Sequence, residues 1–354
     1  MRDPLSNSVP NSSQNDDAVS RRDFVRTLAA GAALPLIGGR AALAEGDKAA
    51  KIVGPTASAP AETAVARFYT TLTPAQKKLI CFPFNHPKRR MVNNNWKIVE
   101  PSIDDLSKEQ QALCEEIFKN LCSEEGYERF SKQMSDDYGG FGSYHVAVFG
   151  EPGTDKPFEW VLSGRHDTLR ADGNSVDGAA FGGPIFYGHA ADGHANEDAK
   201  HTNNVWWYQG VRANELFKSL DDKERARALI TQGKAEGDTP RSIILKGDKL
   251  ARAGLSVSDL DGQQKEIVKK MLADMLSPFR ATDVEEVHSC LAENGGIDKL
   301  QITYYKDGDI GNDGVWDIWK LEGPAFSWYF HGSPHVHTWL NVARKADAYE
   351  PPNG

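Results

Sequence analysis

The stretch LQITYYKDGDIGNDGVWDIWKLEGPAFSWYFHGSPHVHTWLNV, residues 300–342, decides the fold of this chain. It divides into four β-prone runs, at 300–305, 315–321, 325–330 and 335–342. The segments between them, KDGDIGNDG, EGP and HGSP, are rich in turn-forming residues. Because short connections of this kind join neighbouring strands that run in opposite directions, the stretch predicts an antiparallel meander.

Upstream of the meander, further strands and several helices are predicted. Short β-prone runs at 144–149, 158–169 and 184–188 are separated by Gly, Pro and Asp. Four other segments each place a Thr, Ser or Asp three residues before a Gln or Glu, the pattern in which each side chain caps the other residue's backbone amide at a helix start. The four predicted capping residues are Thr73, Ser107, Asp221 and Asp261.

These elements predict an α+β fold with an antiparallel or mixed β-sheet core and helices grouped in the N-terminal and middle parts. The strands fall in two blocks, so a doubly wound sheet is not expected. No G-x-G-x-x-G or G-x-x-x-x-G-K-[ST] motif is present, which argues against a nucleotide cofactor. The net charge of −9 offers no basic surface for phosphates, so no nucleic-acid partner is expected.

The N-terminus has the pattern of a twin-arginine export signal. Arg21 and Arg22 precede the mildly apolar residues 27–37, and the A-x-A pattern at 42–44 is typical of a cleavage site. A short buried helix is the alternative. We therefore expect an export signal at 1–44, a linker at 45–60 and a single α+β domain at 61–350. The expected partner is the twin-arginine translocase, and the location is periplasmic or secreted, with no stable membrane span after cleavage.

The four cysteines carry no recognisable metal or redox motif. The absence of C-x-x-C and C-x-x-C-H argues against thioredoxin-like chemistry and against c-type haem. Cys114 and Cys122 lie in one predicted helix, roughly 12 Å apart, which is beyond disulfide reach. These two residues are not expected to pair with each other.

Two imidazoles near the C-terminus are the best candidates for metal ligands. In an extended strand His335, His337, Trp339 and Asn341 share one face, and the residues between them form an apolar face. Alternate residues of a strand lie roughly 6 to 7 Å apart, so two imidazoles can converge on one ion if other segments supply further ligands. The alternative is an ordinary solvated strand that carries two histidines.

Further ligands are predicted from two other segments. His166, in the run WVLSGRHDTLR, follows Gly164, which allows close approach of another strand. His189 lies in a glycine-broken segment that also carries His194 and His201 with Glu197 and Asp198. Four other histidines are interpreted as structural, and one of them, His331, as a turn residue. These are His86, His145, His288 and His331.

Two side chains are candidates for substrate binding. Arg165 can clamp a carboxylate through two hydrogen bonds, although it is equally interpreted as a strand-edge residue that faces water. Trp339 is one of several tryptophans that can stack against a ring, although aromatic strand residues are more often core. No serine lies in G-x-S-x-G, so Ser–His–Asp hydrolysis is not supported.

The motifs LTPAQ…FPFNH…NNNW, DLSKEQ…LCSEEGYERF, VFGEP…FEWVLSGRHDTL…GPIFYGH and EGPAFSWYFHGSPHVHTWLN resemble the domain-of-unknown-function 3500 family over residues 62–342. The family's G-H-H segment resembles 164–166, where Arg165 replaces its first His, and its H-x-H segment matches His335 and His337. The usual Arg-Asp and Asp-Phe-Gly ending is not found in VARKADAYEPPNG. The resemblance implies a shared architecture and no assigned reaction.

The leading hypothesis is an exported metalloenzyme with His335, His337, His166 and His189 as ligands. Such ligation suits copper, iron, nickel or zinc. A redox-active metal would make the protein an oxidoreductase acting on a small-molecule or peptide substrate, and zinc would make it a hydrolase. The alternative is a non-catalytic periplasmic protein that binds a metal or a sugar.

Overall fold

The C-terminal meander forms one half of a mixed β-sheet in the structure, which is a computed structural model. Its strands are β8 (Gln301–Tyr305), β9 (Ile318–Gly323), β10 (Phe326–His331) and β11 (Val336–Val342), and each is antiparallel to the next. This order confirms the predicted meander. The interpretation of His331 as a turn residue is wrong, because this residue ends β10 and pairs with His337.

The structure describes residues 54–176, 178–191, 197–198, 200–231, 237–248, 252–309 and 312–346. The predicted export signal, the first part of the predicted linker, His194 and the end of the predicted domain lie outside these ranges. The described residues fall within one compact unit, which comprises residues 51–354.

The other half of the sheet is built from β2 (His145–Gly150), β3 (Phe158–Gly164), β4 (Asp167–Ala171) and β5 (Ile185–His189). Strand β5 pairs antiparallel with β11 and thereby joins the two halves. The run 158–169 is not the single strand that was predicted, because the chain reverses at Arg165–His166 and Gly164 pairs with Asp167. Three two-residue strands complete the sheet: β1 (Cys81–Phe82), β6 (Leu229–Ile230) and β7 (Leu255–Ser256).

Eight α-helices accompany the sheet in the described residues, which confirms the α+β class. All four predicted capping boxes are formed: Thr73, Ser107, Asp221 and Asp261 each accept from the amide of the Gln or Glu three residues later, which in turn accepts from the cap's amide. The helices are α1 (Pro60–Thr71), α2 (Pro74–Ile80), α3 (Lys108–Leu121), α4 (Glu124–Tyr138), α5 (Trp207–Ser219), α6 (Asp222–Ala228), α7 (Gly262–Leu276) and α8 (Ala281–Glu293).

The two faces of the sheet are covered differently. Leu162, Tyr187 and Leu340 project from one face and join the main core, to which the helices also contribute. The opposite face carries a smaller apolar cluster that includes Phe186 and Trp339. A loop and the short 3-10 helix Pro240–Ile243 cover this second face: the Asn341 amide donates to the carbonyl of Ile243, and the Trp339 indole donates to Asp238.

All four cysteines are free thiols, in agreement with the expectation that Cys114 and Cys122 do not pair. Among the described residues, the helices are too short or too polar to cross a membrane.

Candidate metal centre

Strand β11 brings His337 onto the face of the sheet that the loop and the short 3-10 helix cover. The register places His337 opposite Gly188 of β5 and opposite His331 of β10. Because paired residues point to the same side of a sheet, His331 and His337 share this face with Trp339. The predicted alternation of His337, Trp339 and Asn341 along one face therefore agrees with the observed register.

His166 reaches the same place from a tight turn rather than from a strand. It is the second residue of the Arg165–His166 turn between β3 and β4, and its φ of +64° lies in the left-handed region that favours glycine. Two backbone hydrogen bonds hold this conformation: the His166 amide donates to the carbonyl of Asn94 at 2.8 Å, and the Gly188 amide donates to the carbonyl of His166 at 3.0 Å. A strained backbone at a non-glycine residue is typical of functional sites.

Three imidazoles converge at this point. The His166 ring centroid lies 5.0 Å from that of His335 and 4.9 Å from that of His337. Nε2 of His335 and Nε2 of His337 are 2.9 Å apart, and one nitrogen of each of the three rings lies within 4.8 Å of the others. His166 and His337 are buried, whereas His335, in the bend before β11, is partly exposed.

Two of these imidazoles are oriented by carboxylates. Nδ1 of His166 lies 2.7 Å from Oδ2 of Asp137 in α4, and Nδ1 of His337 lies 2.5 Å from Oδ2 of Asp238. A carboxylate can only accept in such a bond, so each Nδ1 carries the proton. In the neutral ring the lone pair is then on Nε2, the nitrogen that remains for a metal. This is the carboxylate–histidine–metal arrangement that fixes ligands in metalloproteins.

The electrostatic environment agrees with neutral ligands. Burial lowers the pKa of His166 well below its usual value, and the neighbouring His337 and His335 lower it further. Burial raises the pKa of Asp137, although hydrogen bonds from the Ala190 amide and other donors oppose this. A neutral imidazole is the form that binds a metal.

Two glycines provide the space for this arrangement. A Cβ atom on Gly188 would lie 2.5 Å from the carbonyl oxygen of Val336 and 3.0 Å from the His337 ring. A Cβ atom on Gly164 would lie 2.2 Å from the ring of Tyr144, whose hydroxyl donates to the Arg165 carbonyl at 2.7 Å. Glycine at these two positions thus lets β5 approach the imidazoles and lets Tyr144 support the turn.

A second group, which the sequence did not predict, adjoins the first. Asp238, His331 and His337 also have ligand atoms within 4.8 Å of one another. Oδ1 of Asp238 accepts from the Trp339 indole at 2.6 Å, and Nδ1 of His331 is buried without a hydrogen-bond partner. The motif HGSPHVH, with His331 before the turn and His335 and His337 after it, could have indicated His331. Asp238 lies in irregular chain and gives no comparable signal.

The structure separates His189 from these imidazoles. It pairs with Val336 in the sheet, so its side chain projects from the face opposite to that of His337. There its Nε2 lies 3.1 Å from Oδ2 of Asp136, and its Nδ1 accepts from the Val205 amide. His189 therefore contacts the helix side of the sheet and cannot join the three-histidine group without a change of strand register.

His201 forms a separate buried group. Its Nδ1 lies 2.8 Å from Oε2 of Glu197, and its ring stacks on Trp207 with centroids 4.1 Å apart. Burial lowers the pKa of His201, but the nearby carboxylates of Asp317 and Glu197 outweigh it and raise the pKa to about 9. A protonated imidazole between carboxylates forms an ion pair instead of binding a metal.

The two candidate substrate residues have different positions. Trp339 is fully buried, and its indole supports Asp238, so its present contacts orient a carboxylate. Arg165 is half-buried and lines a cavity beside the turn.

The family described as "Protein of unknown function (DUF3500)" matches residues 56–346, nearly the whole chain. No curated protein and no solved structure matches the chain.

Proposed function

The chain belongs to the DUF3500 family, and we propose that it is an exported metal-dependent enzyme whose ion is bound by His166, His335 and His337. The family description assigns no reaction, so the proposal depends on the chemistry of the site.

The convergence of three imidazoles carries the proposal. Asp137 and Asp238 hold the protons of His166 and His337 on Nδ1, so the lone pairs of both rings are on Nε2. Nε2 of His337 lies 2.9 Å from Nε2 of His335, in the same small space as the His166 ring. At this distance Nε2 of His335 can donate a hydrogen bond to the lone pair of His337, and a cation that replaced the shared proton would be bound by nitrogens of all three rings.

The number of ligands favours catalysis over a purely structural role. Structural zinc sites usually have four protein ligands, whereas catalytic sites have three and keep a position open for water or substrate. One of the three candidate ligands, His335, is partly exposed, so the group reaches the protein surface.

The ligand type and the surroundings favour an oxidoreductase. Imidazole ligands without thiolate suit copper, iron, nickel and zinc. The Phe186 ring lies 5.3 Å from the His337 ring and 4.5 Å from Trp339, so an aromatic shell excludes water from one side of the group. Twin-arginine export of a folded chain, which we propose for residues 1–44, allows a metal to be inserted before export.

A zinc-dependent hydrolase is the second candidate, and His331 favours it. A metal-activated water needs a proton acceptor nearby. The His331 ring lies 6.1 Å from that of His337, and its Nδ1 has no hydrogen-bond partner. Burial lowers the pKa of His331, although the nearby Asp238 opposes the shift. A neutral imidazole can accept a proton.

Metal analysis of the protein purified from the periplasm tests the proposal. The native chain should contain about one ion per molecule, and His166→Ala and the double variant His335→Ala/His337→Ala should lose it. His288→Ala is the matched control, because this exposed helical histidine is outside the group. Copper or iron would favour the oxidoreductase, and zinc the hydrolase. Metal-free native protein that also fails to bind added copper, iron, nickel or zinc would refute the metal site.

A separate experiment tests the proposed export. Replacement of Arg21 and Arg22 by lysine should retain the precursor in the cytoplasm, because the translocase reads the arginine pair. Immunoblots of cytoplasmic and periplasmic fractions measure this. Unchanged export of the lysine variant would contradict the proposed route.

A further inference from the structure

A cavity of about 200 Å³ lies beside the turn that carries His166. Residues of three segments line it: Trp96 and Lys97, Tyr138 and Ser143, and Arg165 of the turn. Binding sites for drug-sized molecules usually measure about 300 Å³ or more. The cavity therefore suits a smaller molecule.

Two unpaired cations line this cavity. Arg165 is half-buried and Lys97 is exposed, and neither side chain forms an ion pair or hydrogen bond in the part of the chain that the structure describes. No Asp or Glu is among the lining residues. The charge of Arg165 opposes the rise in the pKa of Asp137, but this carboxylate is hydrogen-bonded to His166 and does not line the cavity. The lining therefore attracts an anion, and Arg165 can bind a carboxylate through two parallel hydrogen bonds.

The remaining lining suits an organic anion with a flat apolar part. Trp96 is held in place by the hydrogen bond of 2.9 Å from its indole to Thr168. Tyr138 is 59% exposed, so its ring is available at the open side of the cavity. His145 also lines the cavity, and its Nδ1 lies 2.9 Å from the Pro101 carbonyl.

The cavity and the three-histidine group share two pairs of adjacent residues. In α4, Asp137 contacts His166 and the next residue, Tyr138, lines the cavity. In the turn, His166 belongs to the metal group and the preceding residue, Arg165, lines the cavity. The positive charge of Arg165 also contributes to lowering the pKa of His166, after burial and the neighbouring histidines. A molecule in the cavity is thus one residue away from the candidate ligand His166 in the turn, and one residue away from Asp137, the carboxylate that orients this ligand, in α4.

We propose that this cavity binds the carboxylate of a small aromatic acid, which is the substrate class of the neighbouring metal centre. Arg165 is the main anchor and Lys97 a weaker one, and Trp96 and Tyr138 contact the ring. The assignment as a substrate site rests on the proposed metalloenzyme function, whereas carboxylate binding by the cavity does not.

Calorimetric titration of the metal-free protein with benzoate, benzamide and benzylamine tests the inference. Benzoate should bind at least tenfold more tightly than benzamide, and benzylamine should not bind measurably. Arg165→Gln should weaken benzoate binding about tenfold or more, because a charge-assisted bidentate contact is lost. Lys97→Gln should weaken it only about two- to fivefold, because exposed charges are screened. The matched controls Arg67→Gln and Lys78→Gln, on exposed surface elsewhere, should not alter it.

Equal affinity for benzoate and benzamide, or unchanged benzoate binding in Arg165→Gln, would overturn the inference. Neither variant should unfold, because neither cation has a partner to lose, and thermal denaturation verifies this. The same titration on protein loaded with copper or zinc separates the two proposals. If the metal binds but benzoate binding does not depend on Arg165, the cavity assignment fails and the proposed metal centre is unaffected. If benzoate binding depends on Arg165 but no metal binds, the cavity is a carboxylate-binding site and the enzyme proposal fails.

Discussion

Asp137 and His166 form a buried hydrogen bond of 2.7 Å between Oδ2 of the carboxylate and Nδ1 of the imidazole. The other oxygen of Asp137 accepts from the Ala190 amide at 2.9 Å, so the carboxylate is held from two sides. Helix α4 thereby determines which nitrogen of His166 faces the other two imidazoles.

Asp137→Asn should weaken metal binding about 10- to 100-fold, the usual cost of losing a carboxylate behind a histidine ligand. An amide can donate to Nδ1 and thereby move the proton to Nε2, which removes the lone pair from the site. Competition with a chelator of known affinity measures the effect. Asp136→Asn, which changes the adjacent carboxylate that contacts His189, should leave the affinity unchanged. Equal losses in both variants would contradict this role.

Asp238→Asn should also weaken metal binding about 10- to 100-fold, because Asp238 holds the proton of His337 on Nδ1. The pKa of Asp238 agrees with this contact: burial would raise it, but the hydrogen bond from His337 contributes to holding it well below its usual range. Chelator competition again gives the affinity. Asn94→Ala removes only a contact of 3.4 Å to the same oxygen and should have a much smaller effect. A similar loss in both variants would indicate general disruption of the covering segment.

Gly188→Ala should destabilise the protein by about 1 to 3 kcal/mol, because the added Cβ would overlap the Val336 carbonyl at 2.5 Å. It should also weaken metal binding, since the same Cβ would lie 3.0 Å from the His337 ring. Urea denaturation of the metal-free protein measures the first effect. In Gly262→Ala, at the start of α7, no atom lies within 4 Å of the added Cβ, and this control should retain full stability.

Three buried carboxyls should contribute less to the stability of the metal-free protein as the pH rises from about 5 to 8. Burial, followed by the charges of Asp172 and Asp283, raises the pKa of Glu286 to about 8. The pKa of Asp172 and that of Asp283 are each raised to about 7, again mainly by burial. A carboxyl whose pKa is raised in the folded state holds its proton more tightly there than in the unfolded chain. Its contribution to the free energy of unfolding is therefore complete at low pH and is lost as the pH rises through the folded-state pKa.

Glu286→Gln should flatten this dependence by at least about 1 kcal/mol, because a pKa shift of one unit corresponds to about 1.4 kcal/mol. Urea denaturation at pH 5 and pH 8 measures the difference. Glu285→Gln changes the exposed neighbouring residue and should leave the pH dependence as it is. The same pH dependence in the native chain and in Glu286→Gln would contradict the assignment.

The architecture could be predicted because its signals are local. The meander follows from turn residues between β-prone runs, and the four capping boxes follow from pairs of residues three positions apart. The alternation along β11 placed His337 and Trp339 on one face without knowledge of the partner strand.

The site could be predicted only in part, because its geometry depends on contacts between distant segments. His166 was expected on a strand, but Arg165–His166 forms a turn in which a non-glycine residue has a left-handed backbone, and no local propensity indicates this. His189 was expected beside His337, whereas the observed register sends its side chain to the opposite face. Asp137 and Asp238 gave no signal, since a carboxylate behind a ligand is recognised only when both partners are in place.

The three candidate ligands come from both halves of the sheet, which meet at the pairing of β5 with β11. His166 and His335 are separated by roughly 170 residues of chain, and the described thiols form no disulfide to tie these segments together. An ion shared by them would act as a cross-link that closes this long loop in the folded chain. Limited proteolysis should therefore cleave the metal-free protein faster than the metal-bound protein, first in the covering segment around Asp238. Equal cleavage rates would contradict the proposed cross-link.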